Sequence, residues 1–518
     1  MRTLDTLPSL RNSRNPVVAV GIFVVVIIAA YQAAQVVLSG DFSAFAYLAL
    51  GVVAVAFSVM ILNDWHKGLY IFIAWILFED FARKFLGNNM AIYFAKDFLV
   101  LLLYASFYRA RLSKKYPRFR VPFGLALGAF FWFCLLQVFN PASTSVYFGI
   151  LGMKIWFLYV PLMYIGYAFI ESEQDLQRLI WFTSVLCLIV AGLGLAQSII
   201  GPKFLNPTVI QEDIRDMSTL YRIAPISGVL AYRPTSVFVS AGRFQDFLIV
   251  SWAICLGFCG YVLLRTKKHR FLVFATAGTI AAASVMSASR GVFMWNSGIA
   301  LVVAAGFLWG APWRQREVLR VLRAIQRMAL VSGIAILLLL TLAPEQIGSR
   351  LAIYSETLMP NSPSSEIVTR TKTYPLRNME KAFAHPRWPY GYGTGTCTLG
   401  IQYVARIFHV APMPIGVEGG YGNILIELGI VGLVLWIVLG TAVSFRAWKV
   451  VLELKGTPWF PVSFVIFLFS VLLFFPMTFV SSAYQDYLTN ALFWLFTGLI
   501  YKLKQFPKAY ALDVAPQV

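Results

Sequence analysis

Residues Ala44 to Leu62 read AFAYLALGVVAVAFSVMIL, with no charged side chain among them. At about 1.5 Å of rise per residue, a helix of this length crosses roughly 30 Å of hydrocarbon. The stretch lacks the period-two alternation that a barrel strand would need. Val17 to Leu38 and Val331 to Leu342 with its apolar flanks repeat the pattern. Taken in order, such runs predict about fourteen spans, at 16–38, 44–62, 68–79, 91–107, 122–139, 146–170, 178–200, 243–264, 271–288, 291–310, 327–344, 422–442, 459–480 and 486–503. The third is short, so the fold class expected is an all-α polytopic membrane protein with about 12–14 transmembrane helices.

Composition agrees. The 518-residue chain is 59% hydrophobic and 13% charged, with a mean hydropathy of +0.72, far from soluble globular proteins, where about a quarter of residues are charged. The first span is too long for a leader and lacks a small-residue cleavage site after it, so no cleavable signal peptide is expected. With no internal repeat and no low-complexity region, residues 1–518 read as a single membrane domain.

The net charge of +20 could suggest nucleic acid, but the positions of the basic residues argue otherwise. Six lie in Arg109–Arg120, four in Arg265–Arg270, five in Arg314–Arg327 and three in Arg446–Lys455. With the N-terminus inside and fourteen spans, every one of these clusters is cytoplasmic, which is the positive-inside pattern. Both termini are then cytoplasmic, and no nucleic-acid partner is expected. Of the five cysteines, Cys134, Cys187, Cys255 and Cys259 lie in apolar spans and Cys397 in a loop, so neither a disulfide framework nor a metal site is indicated.

This topology leaves two substantial extracytoplasmic loops, 201–242 and 345–420, and the larger carries short helices. The first holds Arg233 within Tyr232-Arg233-Pro234-Thr235-Ser236 and ends at Arg243, which opens the next span. Arg290, in Ser287-Ala288-Ser289-Arg290-Gly291, sits between two spans with almost no loop to carry it. An ionisable residue in such a place is a functional hypothesis by default. The second loop adds Arg370, Arg377 and Arg387. Any single outer arginine has a plainer use in snorkelling to headgroups, but several converging on one face call for an anion, and guanidinium forks match phosphate oxygens in pairs. A lipid diphosphate is the natural candidate, and the same clamp would stabilise charge growing on a departing diphosphate.

Transfer of a sugar from such a donor needs a base for the acceptor hydroxyl. Glu418, in Val417-Glu418-Gly419-Gly420-Tyr421, precedes a helix whose dipole favours a carboxylate; it serves either as base or only as a dipole partner. His385 is pushed out of helix by Pro386, and loop histidines are more often structural. Gly391-Tyr392-Gly393-Thr394-Gly395 lacks the strand and the Lys-Ser/Thr of a nucleotide loop and reads as a tight turn that lets backbone approach a substrate. Trp388, Tyr390, Tyr392 and Tyr403 are placed to stack on sugars or to serve as an interfacial belt. Glu79, Asp80, Arg83 and Lys84 read as a self-neutralised cluster. Asp97 and Lys154, embedded in or near spans, read as a structural pair or snorkelling ends.

The order Arg233, Ser287 to Gly291, Arg370, His385-Pro386, Gly391 to Gly395, Glu418 to Tyr421 and Ile426-Glu427-Leu428-Gly429 resembles the bacterial O-antigen ligase and O-antigen polymerase superfamily over roughly Arg233 to Leu433. Glu79 to Lys84 and Lys96-Asp97 are similar to an exopolysaccharide-associated branch. The resemblance implies a metal-independent, inverting glycosyltransferase of GT-C-type architecture, without cofactor, using glycans on undecaprenyl diphosphate at the outer face of the bacterial inner membrane. Arg233, Arg290 and Arg370 would hold the diphosphate, with Arg377 able to replace Arg370. Arg243, His385 and Tyr421 complete the expected substrate contacts.

The ligase pattern has a His-Asn pair ahead of its Glu-x-Gly element, and counting back from Glu427 to that place reaches Glu418-Gly419. This departure favours a polymerase of exopolysaccharide or O-antigen repeat units over a ligase that moves the glycan en bloc to lipid or protein. A lipid-linked oligosaccharide flippase is the rival of a different class, and a purely structural envelope protein a third. The expected partners are the lipid-linked glycan, the bilayer, and the flippase and chain-length regulator of the same pathway.

Overall fold

The computed structural model describes residues 42–86, 90–113, 119–206, 220–266, 268–312, 326, 341, 343–359, 365–412 and 417–506. The expected spans at 16–38 and, almost entirely, 327–344 lie outside the described residues. The helices are α1 (Phe42–Asn63), α2 (Trp65–Phe85), α3 (Met90–Ser113), α4 (Gly124–Gln137), α5 (Val146–Phe157), α6 (Leu162–Phe169) and α7 (Glu173–Ile200). A hairpin, β1 (Tyr221–Ile223) and β2 (Leu230–Tyr232), follows. Then come α8 (Ala241–Leu264), α9 (Arg270–Met286), α10 (Arg290–Gly310), α11 (Pro344–Leu358), α12 (Tyr374–Ala384), α13 (Ile401–Phe408), α14 (Gly420–Leu454), α15 (Phe460–Leu472) and α16 (Tyr487–Leu503). Among the described residues, seven helical segments are long and apolar enough to cross a membrane, and shorter apolar helices accompany them. The protein is therefore an all-α polytopic membrane protein, and a bilayer is its natural solvent.

Polar residues at the ends of the apolar runs start the helices. Ser145, Ser240, Ser289 and Asp486 each accept a hydrogen bond from a first-turn amide, and Ser172 and Asp175 form a reciprocal capping box on α7. These caps satisfy amides that a helix end leaves without partners. The span expected at 146–170 is broken at Leu158–Pro161 into α5 and α6. That expected at 422–442 is only part of α14, which runs on to Leu454.

The bundle centres on α8, the most enclosed of the long spans, which packs against α9, α10 and α15. Close approach replaces bulk at several crossings, as is general where lipid offers helices no hydrophobic drive to associate. A Cβ on Gly166 would strike the Leu495 carbonyl, and one on Gly498 the Met163 carbonyl, so α6 and α16 meet backbone to backbone. Irregular backbone interrupts α14 and the end of α15 as well. In α14 the chain breaks at Gly429 (φ 69°, ψ −172°). After α15, Pro476 lies in a π-turn, Leu473–Met477, whose Leu473 carbonyl accepts from the Thr478 hydroxyl. Proline has no amide hydrogen to give a regular helix, and the wider turn accommodates it.

β1 and β2 pair antiparallel, Tyr221 opposite Tyr232. No strand was expected in 201–242, because three-residue strands leave no periodic signal. The hairpin, α11 and the ends of α7, α9 and α10 meet at one end of the bundle.

Candidate functional site

Arg233 follows β2 directly, and its amide donates to the Leu220 carbonyl at 2.7 Å. The next residues are fixed from below. Gln197 on α7 accepts from the amides of Thr235 and Ser236 at 2.8 and 2.7 Å, and the Lys84 ammonium on α2 donates to the Thr235 hydroxyl at 2.9 Å and to the Ser236 carbonyl. The segment that presents Arg233 is thus held by buried polar groups from two helices.

Arg290 comes from the turn between α9 and α10. Ala288 takes a left-handed φ of 53°, Ser287 accepts from the Ser289 amide at 3.2 Å, and Ser289 caps α10. The turn starts α10 at Arg290 itself. A cation in the first turn opposes the helix dipole, so this position costs stability unless an anion meets it. Glu366 does, with its carboxylate 2.5 Å from the guanidinium. Burial, and then the charge of Arg290, hold the Arg233 guanidinium below its ordinary pKa. The two cations expected to act together are within electrostatic reach of each other.

Arg350 holds them there, and the sequence reading missed it. It is 2% exposed. Its guanidinium donates to the carbonyls of Met286 (3.0 Å), Tyr232 (3.1 Å), Ser198 (3.4 Å) and Gln346 (2.6 Å). One side chain on α11 therefore binds the ends of α7, β2 and α9, including the residue before Arg233 and the last residue of α9. Burial pushes its pKa down to about 10, so it remains a cation at neutral pH. A signal was present: Arg350 shares the buried face of α11 with Ile353, Tyr354 and Thr357, where an apolar residue would be usual. The other α11 contacts reinforce the dock. Tyr354 donates to the Val285 carbonyl at 2.7 Å, and Glu356 accepts from the amides of Ile226 and Ser227 at the hairpin tip.

From Ile367 the chain is helical to Ala384, with a π-turn at Thr369–Thr373 before α12. Such turns are uncommon and recur at functional sites. Arg370 lies in it, four positions after Glu366 and four before Tyr374. The Tyr374 hydroxyl donates to the Glu418 carboxylate. Asn378 fixes the backbone beside it by accepting from the Glu418 amide at 3.1 Å and donating to the Tyr374 carbonyl at 2.9 Å. Glu418 is exposed, at the start of α14. At helical rise, Glu366 and Tyr374 are about 12 Å apart along one element. One helix therefore links the Arg290 cluster to Glu418.

The remaining expected residues are placed differently. Arg377 is exposed on α12. His385 ends α12 in extended backbone, as Pro386 requires, with its ring edge-on to Tyr392 at 6.1 Å. Tyr421 donates to the Phe474 carbonyl in the π-turn at 2.9 Å. Arg243 is engaged by Asp80, at 2.6 Å to each carboxylate oxygen. Of the expected cluster Glu79, Asp80, Arg83 and Lys84, only Arg83–Asp80 is an internal pair among the described residues; Glu79 is met by Lys96 and Lys84 reaches Thr235 and Ser236 instead, while Lys154 pairs with Asp97.

The glycine run is a correction. Gly391, Gly393 and Gly395 have φ of 80°, 107° and 87°, but their backbone approaches helices, not an open face. The amides of Tyr392 and Gly393 donate to the carbonyls of Ile426 and Glu427 at 2.8 and 2.9 Å, and that of Thr394 to Gln137 at 3.2 Å. Glycine is needed because a Cβ on Gly391 would strike α14 at its Gly429 break, and one on Gly395 the Phe148 carbonyl of α5. Glu427, fully buried, secures the same turn by accepting from the Cys397 amide at 2.9 Å and the Thr398 hydroxyl at 2.8 Å. No group of three or more metal-ligating side chains is found among the described residues.

Fold and site together define a polytopic α-helical membrane protein with a guanidinium cluster built at one end of its bundle. Compared with known proteins, the chain matches no family model and no curated sequence.

Proposed function

We propose that the protein is a membrane glycosyltransferase of GT-C-type architecture that polymerises undecaprenyl-diphosphate-linked repeat units at the outer face of a bacterial inner membrane. The observation that carries this reading is the convergence of Arg233 and Arg290 from separate elements, with Arg350 binding both of those elements. Guanidinium groups brought together in this way suit an anion with several oxygens, which two planar forks can hold at once.

In this reading Arg233 and Arg290, with Arg370, hold the donor diphosphate. The acceptor hydroxyl attacks the anomeric carbon from the face opposite the diphosphate. The new C–O bond forms as the bond to the diphosphate oxygen breaks, inverting the centre. The bonding pair leaves on the diphosphate, where the guanidinium groups stabilise it, and the hydroxyl proton passes to Glu418. Tyr374 and Asn378 orient that carboxylate. The outer segments 201–242 and 345–420 supply the site, and a flippase and a chain-length regulator are the natural partners.

The test is to incubate the protein in nanodiscs with lipid-linked repeat units, with and without Arg290→Ala, and to resolve products by size. A ladder of lengths lost in the variant is the expected result. A single product that needs a second acceptor would make the enzyme a ligase. No product with the cognate unit would return the protein to the transporter class.

A further inference from the structure

Glu366 reaches Arg290 from outside the α9–α10 turn. Its amide donates to the Thr357 carbonyl at 2.9 Å, which ties it to the end of α11, and it heads the helical segment that begins at Ile367. The pair is unequally exposed: Arg290 is 12% accessible and Glu366 32%. The carboxylate is therefore the more accessible partner of the pair. With Arg233 adjacent and the positive end of α10 behind, the Arg290 position favours negative charge strongly. A carboxylate supplies a single charge there, whereas a diphosphate supplies more and can engage two guanidinium forks together.

We propose that Glu366 is an internal anion that occupies the Arg290 position until a diphosphate displaces it, so that it sets both the affinity and the anion selectivity of the site. The donor's identity rests on the function proposed above; the displacement itself rests on the Arg290–Glu366 geometry. While Glu366 is in place the site is closed to competitors, and apparent affinity falls by the fraction of molecules in which it is open. A single carboxylate or monophosphate gains little by exchanging with Glu366. A diphosphate brings more charge and more acceptor oxygens than the carboxylate it replaces, and so is selected.

The experiment titrates wild type, Glu366→Gln, Glu366→Asp and Arg290→Ala in nanodiscs. One arm uses inorganic pyrophosphate and the other lipid-borne undecaprenyl diphosphate, which separates free from membrane sources of the same group. Glu366→Gln should bind pyrophosphate about tenfold more tightly than wild type, Glu366→Asp should stay near wild type, and Arg290→Ala should bind weakly. In the glycan assay Glu366→Gln should lower the donor KM without lowering kcat. Equal or weaker pyrophosphate binding by Glu366→Gln, no binding by any form, or a fall in kcat at constant KM would each overturn the proposal. Tighter binding by Glu366→Gln with no glycan product would leave the displacement standing and remove the transferase. A product ladder without tighter binding would do the reverse.

Discussion

The Arg350 guanidinium donates to the carbonyl of Tyr232 across 3.1 Å, and Tyr232 is the residue that hands the chain to Arg233. The same guanidinium caps the last carbonyl of α9, so the spacing of Arg233 and Arg290 depends on a third arginine. Replacing Arg350 with Met leaves buried carbonyls without a donor and should destabilise the protein by about 3 kcal/mol. Lys should rescue only in part, because an ammonium cannot span three element ends as a planar fork does. Thermal melting of the purified variants checks the first expectation. Pyrophosphate affinity, which should fall in the Lys variant even where melting is near wild type, checks the second.

Charge alone should not suffice at Arg290 or Arg233. If the two side chains grip a diphosphate by paired donors, Arg290→Lys and Arg233→Lys should each lose about 100-fold in kcat while remaining folded. Single-turnover rates with saturating donor measure this. Lys variants as active as wild type would reduce the pair to general electrostatics.

The sequence carried the bundle because apolar length and polar caps are local properties. Ser240 and Ser289 stand where their helices begin, and the ends of α7, α8, α9 and α10 fall within a few residues of expectation. Arg233 and Arg290 were expected to act together on one anion, but what holds their elements together was not legible, since it is Arg350 binding carbonyls far apart in the chain. The glycine run shows the converse. Its spacing suggested an open backbone face, yet its amides are taken by Ile426, Glu427 and Gln137, and nothing local in the run announces a break at Gly429 in a distant helix. Glu427 was legible only as a motif letter; its burial beneath Cys397 and Thr398 is a tertiary fact.

Acid should loosen the hairpin. The Ser227 hydroxyl and the amides of Ile226 and Ser227 donate to Glu356 and hold its carboxyl below the ordinary value of 4.5. A depressed folded-state pKa means that this anchoring is complete above the unfolded value and is lost as pH falls through the folded one. Proteolysis of the 224–229 turn should therefore accelerate, relative to neutral pH, only below about pH 4.5. Glu356→Gln should be cut readily at neutral pH and show no such acid step. An acid step that persists in the variant would assign it to another group.

Glu418 is the remaining candidate for proton transfer, and its surroundings separate the base from a mere dipole partner. A carboxylate that served only the N-terminus of α14 would need no hydroxyl aimed at it, yet Tyr374 donates to it from α12 and Asn378 fixes its backbone. As base, Glu418→Gln should keep donor affinity and lose about 100-fold or more in kcat. Tyr374→Phe, which only releases the carboxylate from one orienting contact, should lose far less, about tenfold. Single-turnover rates of the two variants with saturating donor decide between the roles. If Glu418→Gln instead keeps the wild-type rate, Glu418 belongs to the helix and the proton goes elsewhere.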